Sequence, residues 1–257
     1  MKTLVLAGAV IALATGSAFA ADISRPVYKA APAPVSSWTG CYVGAGGGYG
    51  MYDLDTKLAS RATGAVVNVP IDQGGRGWFG TVQVGCDYQL SGAWVIGAFA
   101  DADWSRIRGK HTGGDFAIGL VSADMKLTRS WAAGARLGYI VTPSLLTYVS
   151  AGFTEAKFGQ ANYAAFNGVL TGLSVPAQTY SGYFIGGGTE YALGFFPGVF
   201  WKTEYRFADY RTRDLTVFVT ATGAPNGILE RTHPYVQTLR SELVWRFNMG
   251  DAVRAAY

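Results

Sequence analysis

The chain has 257 residues, 15% of them charged, 49% hydrophobic and 14% aromatic, with 35 glycines beside 9 prolines and a net charge of +4. Charge this low, against about 25% in an ordinary soluble domain, and apolar content this high exclude intrinsic disorder, and the glycines lack the triplet period of collagen. The unclustered positive charge speaks against nucleic acid as a partner, and two histidines and two cysteines leave little for a metal site, so no cofactor is expected.

Lys2, the apolar run from Leu4 to Ala14 and the small-residue site Ala18-Phe19-Ala20 read as a cleavable signal peptide over residues 1–20. Residues 21–37, with Pro26, Pro32 and Pro34 among alanines and serines, read as a Pro/Ala-rich periplasmic leader. Beyond Ala21 no run of 18 apolar residues occurs, so helical membrane spans are not expected.

From Trp38 onward the chain alternates with period two, the mark of strands with two different faces. Over 78–90, Trp78, Gly80, Val82, Val84, Cys86, Tyr88 and Leu90 share one face, and Phe79, Thr81, Gln83, Gly85, Asp87 and Gln89 the other. The same alternation runs through 94–104, 131–139, 183–193, 199–207 and 239–247, and more weakly through about 41–52 and 145–157. Short turns fall near Ser91-Gly92, Thr142-Pro143-Ser144 and Phe195-Phe196-Pro197-Gly198, whereas long links span 53–76, 105–126, 158–180 and 211–232. Eight antiparallel strands joined alternately by short and long connections predict an all-β, up-and-down transmembrane barrel over 38–247, with short periplasmic turns and four long extracellular loops. Residues 248–257 are left as a C-terminal tail, and either Phe247 or Tyr257 is the aromatic assembly signal.

A soluble barrel would alternate too, but its outer face would be dense in Lys and Glu. Here the apolar face is bracketed by aromatics: Trp78 and Tyr88, Trp94 and Trp104, Trp131 and Tyr139, Tyr183 and Tyr191, with Trp201 and Trp245. Such rings form the girdles of a membrane barrel. Ten residues from Trp78 to Tyr88, at about 3.3 Å each and a tilt of roughly 40°, cover about 25 Å along the membrane normal, the height of the apolar band. The predicted location is the outer membrane of a Gram-negative cell, among its lipids and lipopolysaccharide.

The opposite face holds small residues with charges of both signs: Asp87, Asp101, Asp103, Glu190, Glu204 and Glu242 against Arg136, Lys202, Arg206, Arg240 and Arg246. An eight-stranded barrel is narrow enough to be filled by its own side chains. Glu190 is expected to face Lys202, Glu204 to reach Arg240, and Lys202 to share Glu242. These are read as salt bridges that satisfy buried charges, with a narrow selective path as the other reading. Cys41 and Cys86 fall near the periplasmic rim on adjacent strands, both facing outward; a disulfide is feasible, and two free thiols are the alternative.

Trp38-Thr39-Gly40-Cys41-Tyr42-Val43-Gly44, Arg136-Leu137-Gly138-Tyr139, Gly186-Gly187-Gly188-Thr189-Glu190-Tyr191, Lys202-Thr203-Glu204-Tyr205-Arg206-Phe207 and Trp245-Arg246-Phe247 carry a resemblance. Together they resemble the small outer-membrane β-barrels of alphaproteobacteria, the porin-family or outer-membrane immunogenic proteins, which are similar to the OmpA and OmpX membrane domains. The resemblance implies an eight-stranded barrel, placed by the barrel-assembly machinery, with surface-exposed loops. It departs from the usual ending, since ten residues follow Phe247.

No G-K-[ST], H-E-x-x-H or C-x-x-C occurs, and Gly44–Gly50 lacks a phosphate-loop register, so it reads as close backbone packing. His111 in the second long link and His233 at the start of the last strand lack triad spacing, which leaves an outer-membrane lipid-modifying enzyme as a minor alternative. The link 158–180 is expected to expose Phe158, Tyr163, Phe166, Leu170 and Leu173, either folded over the barrel mouth or as a contact surface for an unidentified ligand. Arg106, Arg108, Lys110 and Lys126 could meet lipopolysaccharide phosphates. The expected function is structural or interactive at the cell surface, with a largely plugged interior; the alternative is a narrow, porin-like channel for ions or very small solutes.

Overall fold

The computed structural model describes residues 38–66, 71–90, 92–115, 119–165 and 167–247. The expected signal peptide, leader and tail, together with Ser91, Phe166 and Tyr257, lie outside the described residues. Strands form throughout, because alternating sequences bury one face per strand. They are β1 (Gly40–Ser60), β2 (Ile71–Gln89), β3 (Trp94–Asp115), β4 (Gly119–Thr142), β5 (Leu145–Phe158), β6 (Ala161–Ala164), β7 (Leu170–Val175), β8 (Gln178–Ala192), β9 (Val199–Tyr210), β10 (Arg213–Val219) and β11 (Pro225–Phe247).

Eight of them close a ring in the order β1-β2-β3-β4-β5-β8-β9-β11, sealed by antiparallel pairing of β11 with β1 from Cys41↔Phe247 to Ser60↔Ile228. Closure removes the unpaired edge that hydrocarbon would penalise. Turns are short at one end: Pro143-Ser144 joins β4 to β5, and Leu193–Gly198 joins β8 to β9, with Gly198 in the left-handed region at φ +79°. Trp78, Val82, Val84 and Tyr88 point out, with Trp78 71% and Val84 56% exposed, while Phe79, Thr81, Gln83 and Asp87 are buried. The glycines of β1 admit the lumen's contents closely: a Cβ on Gly48 would meet the Phe79 ring at 2.5 Å.

The four long links differ from expectation. They are continuations of the sheet: β1 runs on to Ser60, β3 to Asp115, and β11 already begins at Pro225. On β3 and β11 the parity stays constant while the chemistry of the faces inverts, whereas β4 slips at Thr128, so that Leu127 points in and Arg129 out. On β11, Leu239 and Leu243 point out and Arg240 and Glu242 in; higher up, Arg231 points out and Ile228 and Val236 in. On β3, Trp104 points out beside an inward Asp103, and then Arg106 and Arg108 point out around an inward Ile107. The exchange marks the passage of one pleated strand from lipid into water.

Where β5, β8 and β9 end, β6, β7 and β10 take their places, pairing β4–β6, β6–β7, β7–β10 and β10–β11. These three short strands, unforeseen in the alternation, complete a second ring with the shared strands β1 to β4 and β11. Its interior is largely apolar: Leu54, Val121, Met125, Leu127, Tyr163, Val175, Leu215, Val217 and Ile228 are all buried, around a few buried polar groups. We call it the cap. Of the two readings of link 158–180, folding over the barrel mouth fits and the expected exposure is corrected: Phe158, Tyr163 and Leu173 are buried in this core, and among the described residues Val169, at 62%, and Leu170, at 70%, are exposed.

Candidate functional site: the charged lumen and the cap

Inward parity places Asp87, Asp101, Asp103, Arg136, Glu190, Lys202, Glu204, Arg206, Arg240, Glu242 and Arg246 in the lumen, none more than 6% exposed. At the turn end, Arg136 clamps Asp87 and reaches Glu190 Oε2 at 3.0 Å. Arg246 approaches the same two carboxylates at 2.7 and 2.6 Å, its guanidinium over the Trp38, Tyr42 and Phe200 rings. In the middle, Lys202 Nζ lies 3.1 Å from Glu204 and donates to Gln83 at 2.6 Å, while Glu204 also accepts from Tyr148 and Ser150. Arg206 forks onto Asp101 at 3.0 and 3.2 Å. Toward the cap, Arg240 lies 3.3 Å from Asp101 and 3.2 Å from Asp103.

Register does set Glu190 opposite Lys202 and Glu204 opposite Arg240. The ion pairs nevertheless form elsewhere, Glu190 with two arginines and Arg240 with two aspartates. A guanidinium spans the narrow bore and forks onto carboxylates, so reach outweighs strand adjacency. Lys202 and Glu242 are opposite in register and 3.7 Å apart.

Cys41 is opposite Cys86 in the β1–β2 register, and their sulfurs are bonded at 2.03 Å on the outer face. Trp78, Tyr88, Trp94, Trp104, Trp131, Tyr139, Tyr183, Tyr191, Trp201 and Trp245 all point outward and are exposed. They fall in two rows: Tyr88, Trp94, Tyr139, Tyr191, Trp201 and Trp245 near the short turns, and Trp78, Trp104, Trp131 and Tyr183 below the cap. Ring contacts link Trp94 to Tyr139 and run from Trp131 through Phe153 to Tyr183.

The cap holds a cluster missed by sequence reasoning. His111, expected in an exposed link, is fully buried on β3 with its Nε2 3.0 Å from Glu230 Oε2. Tyr163 donates to Glu230 Oε1 at 2.6 Å. Its hydroxyl is held well above the ordinary tyrosine range, by burial first and then by the Glu230 charge. The signal was available in the apolar alternation of Val121, Ala123, Met125 and Leu127, whose strand pairs with β3. His233 lies inside β11, not at its start, and its Nε2 is 2.7 Å from Asp209 on the outer surface. Among the described residues no cluster of metal-binding side chains occurs.

A closed eight-stranded ring with an apolar exterior and ionic interior defines an outer-membrane β-barrel. Residues 28–196 match the family model described as Autotransporter beta-domain. The chain is 33% identical over 222 residues to the 31 kDa outer-membrane immunogenic protein of Brucella melitensis biotype 1, covering 84% of this chain and 90% of that one. The same figures hold for its counterpart in Brucella suis biovar 1. The chain belongs to the family of these outer-membrane immunogenic proteins, and it is an outer-membrane protein. Among solved structures it is similar to OprG from Pseudomonas aeruginosa, at 14% identity and TM-score 0.49, covering 81% of this chain and 97% of that one. The OmpT protease of Escherichia coli shows 11% identity and TM-score 0.47, with 80% and 97% covered.

Proposed function

We propose that this protein is a closed surface barrel whose role is structural or interactive, and that it carries no current and no catalytic activity. One observation carries the reading: arginines, lysine and carboxylates fill the lumen with paired charges, and an apolar core lies directly above them. Ions would have to break buried pairs and then cross a dry layer. The outward aromatic rows are the interfacial girdles, and the Cys41–Cys86 bond staples β1 to β2 near the periplasmic rim. The partners are outer-membrane lipids, lipopolysaccharide and, during assembly, the barrel-assembly machinery, for which Phe247 at the end of β11 or Tyr257 is the aromatic signal. The test is planar-bilayer conductance of the refolded, lipopolysaccharide-free protein. Absence of steady single-channel steps is expected, and steps altered by Arg136→Gln or Glu204→Gln would overturn the reading.

A second reading, the narrow path, has its own support. Thr81 Oγ1, Gln83 Nε2, Asp103 Oδ1, Arg240 Nε and both Glu242 carboxylate oxygens are buried without a hydrogen-bond partner in the protein. Buried polar groups of this kind suit ordered water. The enzyme alternative is disfavoured because His111 and Glu230 are sealed in the cap, away from any substrate. Loss of a lipid or peptide hydrolysis on His111→Ala or His233→Ala would revive it.

A further inference from the structure

Immediately above the upper aromatic row, the outer surface of β2 to β5 carries six cations: Arg76, Arg106, Arg108, Lys126, Arg129 and Lys157. Arg76, Arg106 and Arg129 each stand two residues beyond a tryptophan of that row: Trp78, Trp104 and Trp131. The register sets like charges face to face, as Arg76↔Arg108, Arg108↔Lys126 and Arg129↔Lys157. Like charges directly opposite destabilise a sheet. Among the described residues, none of the six forms an ion pair; Lys110, a little higher, does so with Asp124. Across the barrel at a similar height the outward residues are Asp53, Asp55 and Asp209. Cations stand there too, Lys57 and Arg231, but interleaved with these carboxylates and with Arg231 paired to Asp214, so the unpaired positive belt is concentrated on β2 to β5.

Within it lies a cavity of about 370 Å³ lined by Trp104, Arg129, Trp131, Glu155 and Lys157. Its one outward carboxylate is engaged elsewhere: Glu155 accepts from the Trp131 indole N–H at 3.0 Å and the Ser181 hydroxyl at 3.4 Å. Arg129 and Lys157 are left with their charges side by side, at the depth where headgroups of the outer leaflet lie.

We propose that this cavity is a docking site for a phosphorylated lipid headgroup, the sugar phosphate of lipopolysaccharide lipid A. Arg129 and Lys157 share the phosphate, which removes their mutual repulsion, and Trp104 and Trp131 flank the headgroup at the edge of the acyl region. Arg76, Arg106, Arg108 and Lys126 extend the positive belt for neighbouring phosphates. The proposal rests on the girdle reading, and the test separates the two.

The full barrel is reconstituted into vesicles containing bisphosphorylated lipid A, and its lipid selectivity is compared with that of the double variant Arg129→Gln/Lys157→Gln. Two juxtamembrane charges at roughly 1 kcal/mol each predict about a 30-fold loss of lipid A preference. A control, Lys57→Gln/Arg231→Gln on the facing positions of β1 and β11 across the barrel, should leave the preference unchanged. Dephosphorylated lipid A should bind wild type and double variant alike. Brominated acyl chains report the girdle in the same vesicles by quenching tryptophan. Normal quenching with unchanged lipid A preference in the double variant would overturn the site alone. An equal loss with dephosphorylated lipid A would overturn the phosphate as the recognised group. Failure of quenching in the wild type would overturn the girdle reading and the site with it.

Discussion

Arg136 on β4 and Glu190 on β8 meet across the bore at 3.0 Å, although β5 stands between their strands in the sheet. Arg136 also clamps Asp87, and Arg246 joins the same carboxylates from the opposite wall. Four strands, β2, β4, β8 and β11, are thus tied through one charge cluster at the turn end.

Removing one member leaves uncompensated charge in a dry site. Glu190→Ala is expected to destabilise the refolded barrel by roughly 3–5 kcal/mol, read as a lower midpoint of urea unfolding in micelles. Replacing Asp87, Arg136, Glu190 and Arg246 together by apolar residues of similar volume should cost far less than the single change. A Glu190→Ala midpoint indistinguishable from wild type would show that the cluster is not coupled.

The cap has its own pH dependence. Tyr163 is held above the ordinary tyrosine value of about 10, first by burial and then by Glu230. Because the folded value is the raised one, its contribution is intact below about pH 10 and is lost as the pH climbs toward that raised value. Hydrogen exchange of β6, β7 and β10 should therefore accelerate above about pH 10 while the lower ring stays protected. Tyr163→Phe should flatten this alkaline response, though Tyr180, raised by burial and then Glu230, retains part of it. The variant also loses the bond to Glu230, so the cap should loosen at neutral pH by about 1–3 kcal/mol. An unaltered alkaline profile would contradict the assignment.

The ring and its sidedness are legible in the alternation of Trp78 through Leu90, because a two-residue period with two chemistries admits one pleat. The cap is not, for two physical reasons. Past Trp104 the pattern keeps its parity but swaps its faces, so Ile107 between Arg106 and Arg108 looks like the end of a strand when it is the start of a new solvent. The strands β6, β7 and β10 are four to seven residues long, too short for a periodic signal of their own. Adjacency in the lumen follows from turn positions, as with Glu190 and Lys202, but the bonding does not, because guanidinium groups reach past the facing residue.

The Cys41–Cys86 bond closes a separation of 45 residues between paired strands. Chain entropy for a loop of that size predicts a loss of about 4 kcal/mol on Cys41→Ser/Cys86→Ser, within the usual range for a native bridge. The double variant should still insert and migrate as a folded barrel, because the β1–β2 ladder continues from Gly40↔Asp87 to Thr56↔Ile71 without it. Comparing urea midpoints with and without reductant checks this; identical midpoints would mean that the bond contributes nothing to the folded state.

The inversion of faces along single strands is the most direct test of where the membrane ends. Val84 sits midway along the apolar stretch of β2, between Trp78 and Tyr88, and Arg108 stands outward on β3 above Trp104. A positive charge at mid-bilayer on the lipid face costs roughly 2–4 kcal/mol, falling to about 0–1 kcal/mol near the interface. Val84→Arg should therefore depress the unfolding midpoint in lipid vesicles strongly, whereas Arg108→Val should change it little. Nitroxide labels placed at the same two sites should divide in the same way, the label at residue 84 quenched by oxygen and the one at residue 108 by a water-soluble nickel chelate. A label at residue 84 that met the chelate would place the apolar face in water, and the girdles, the ionic lumen and the cap would all need a different solvent to explain them.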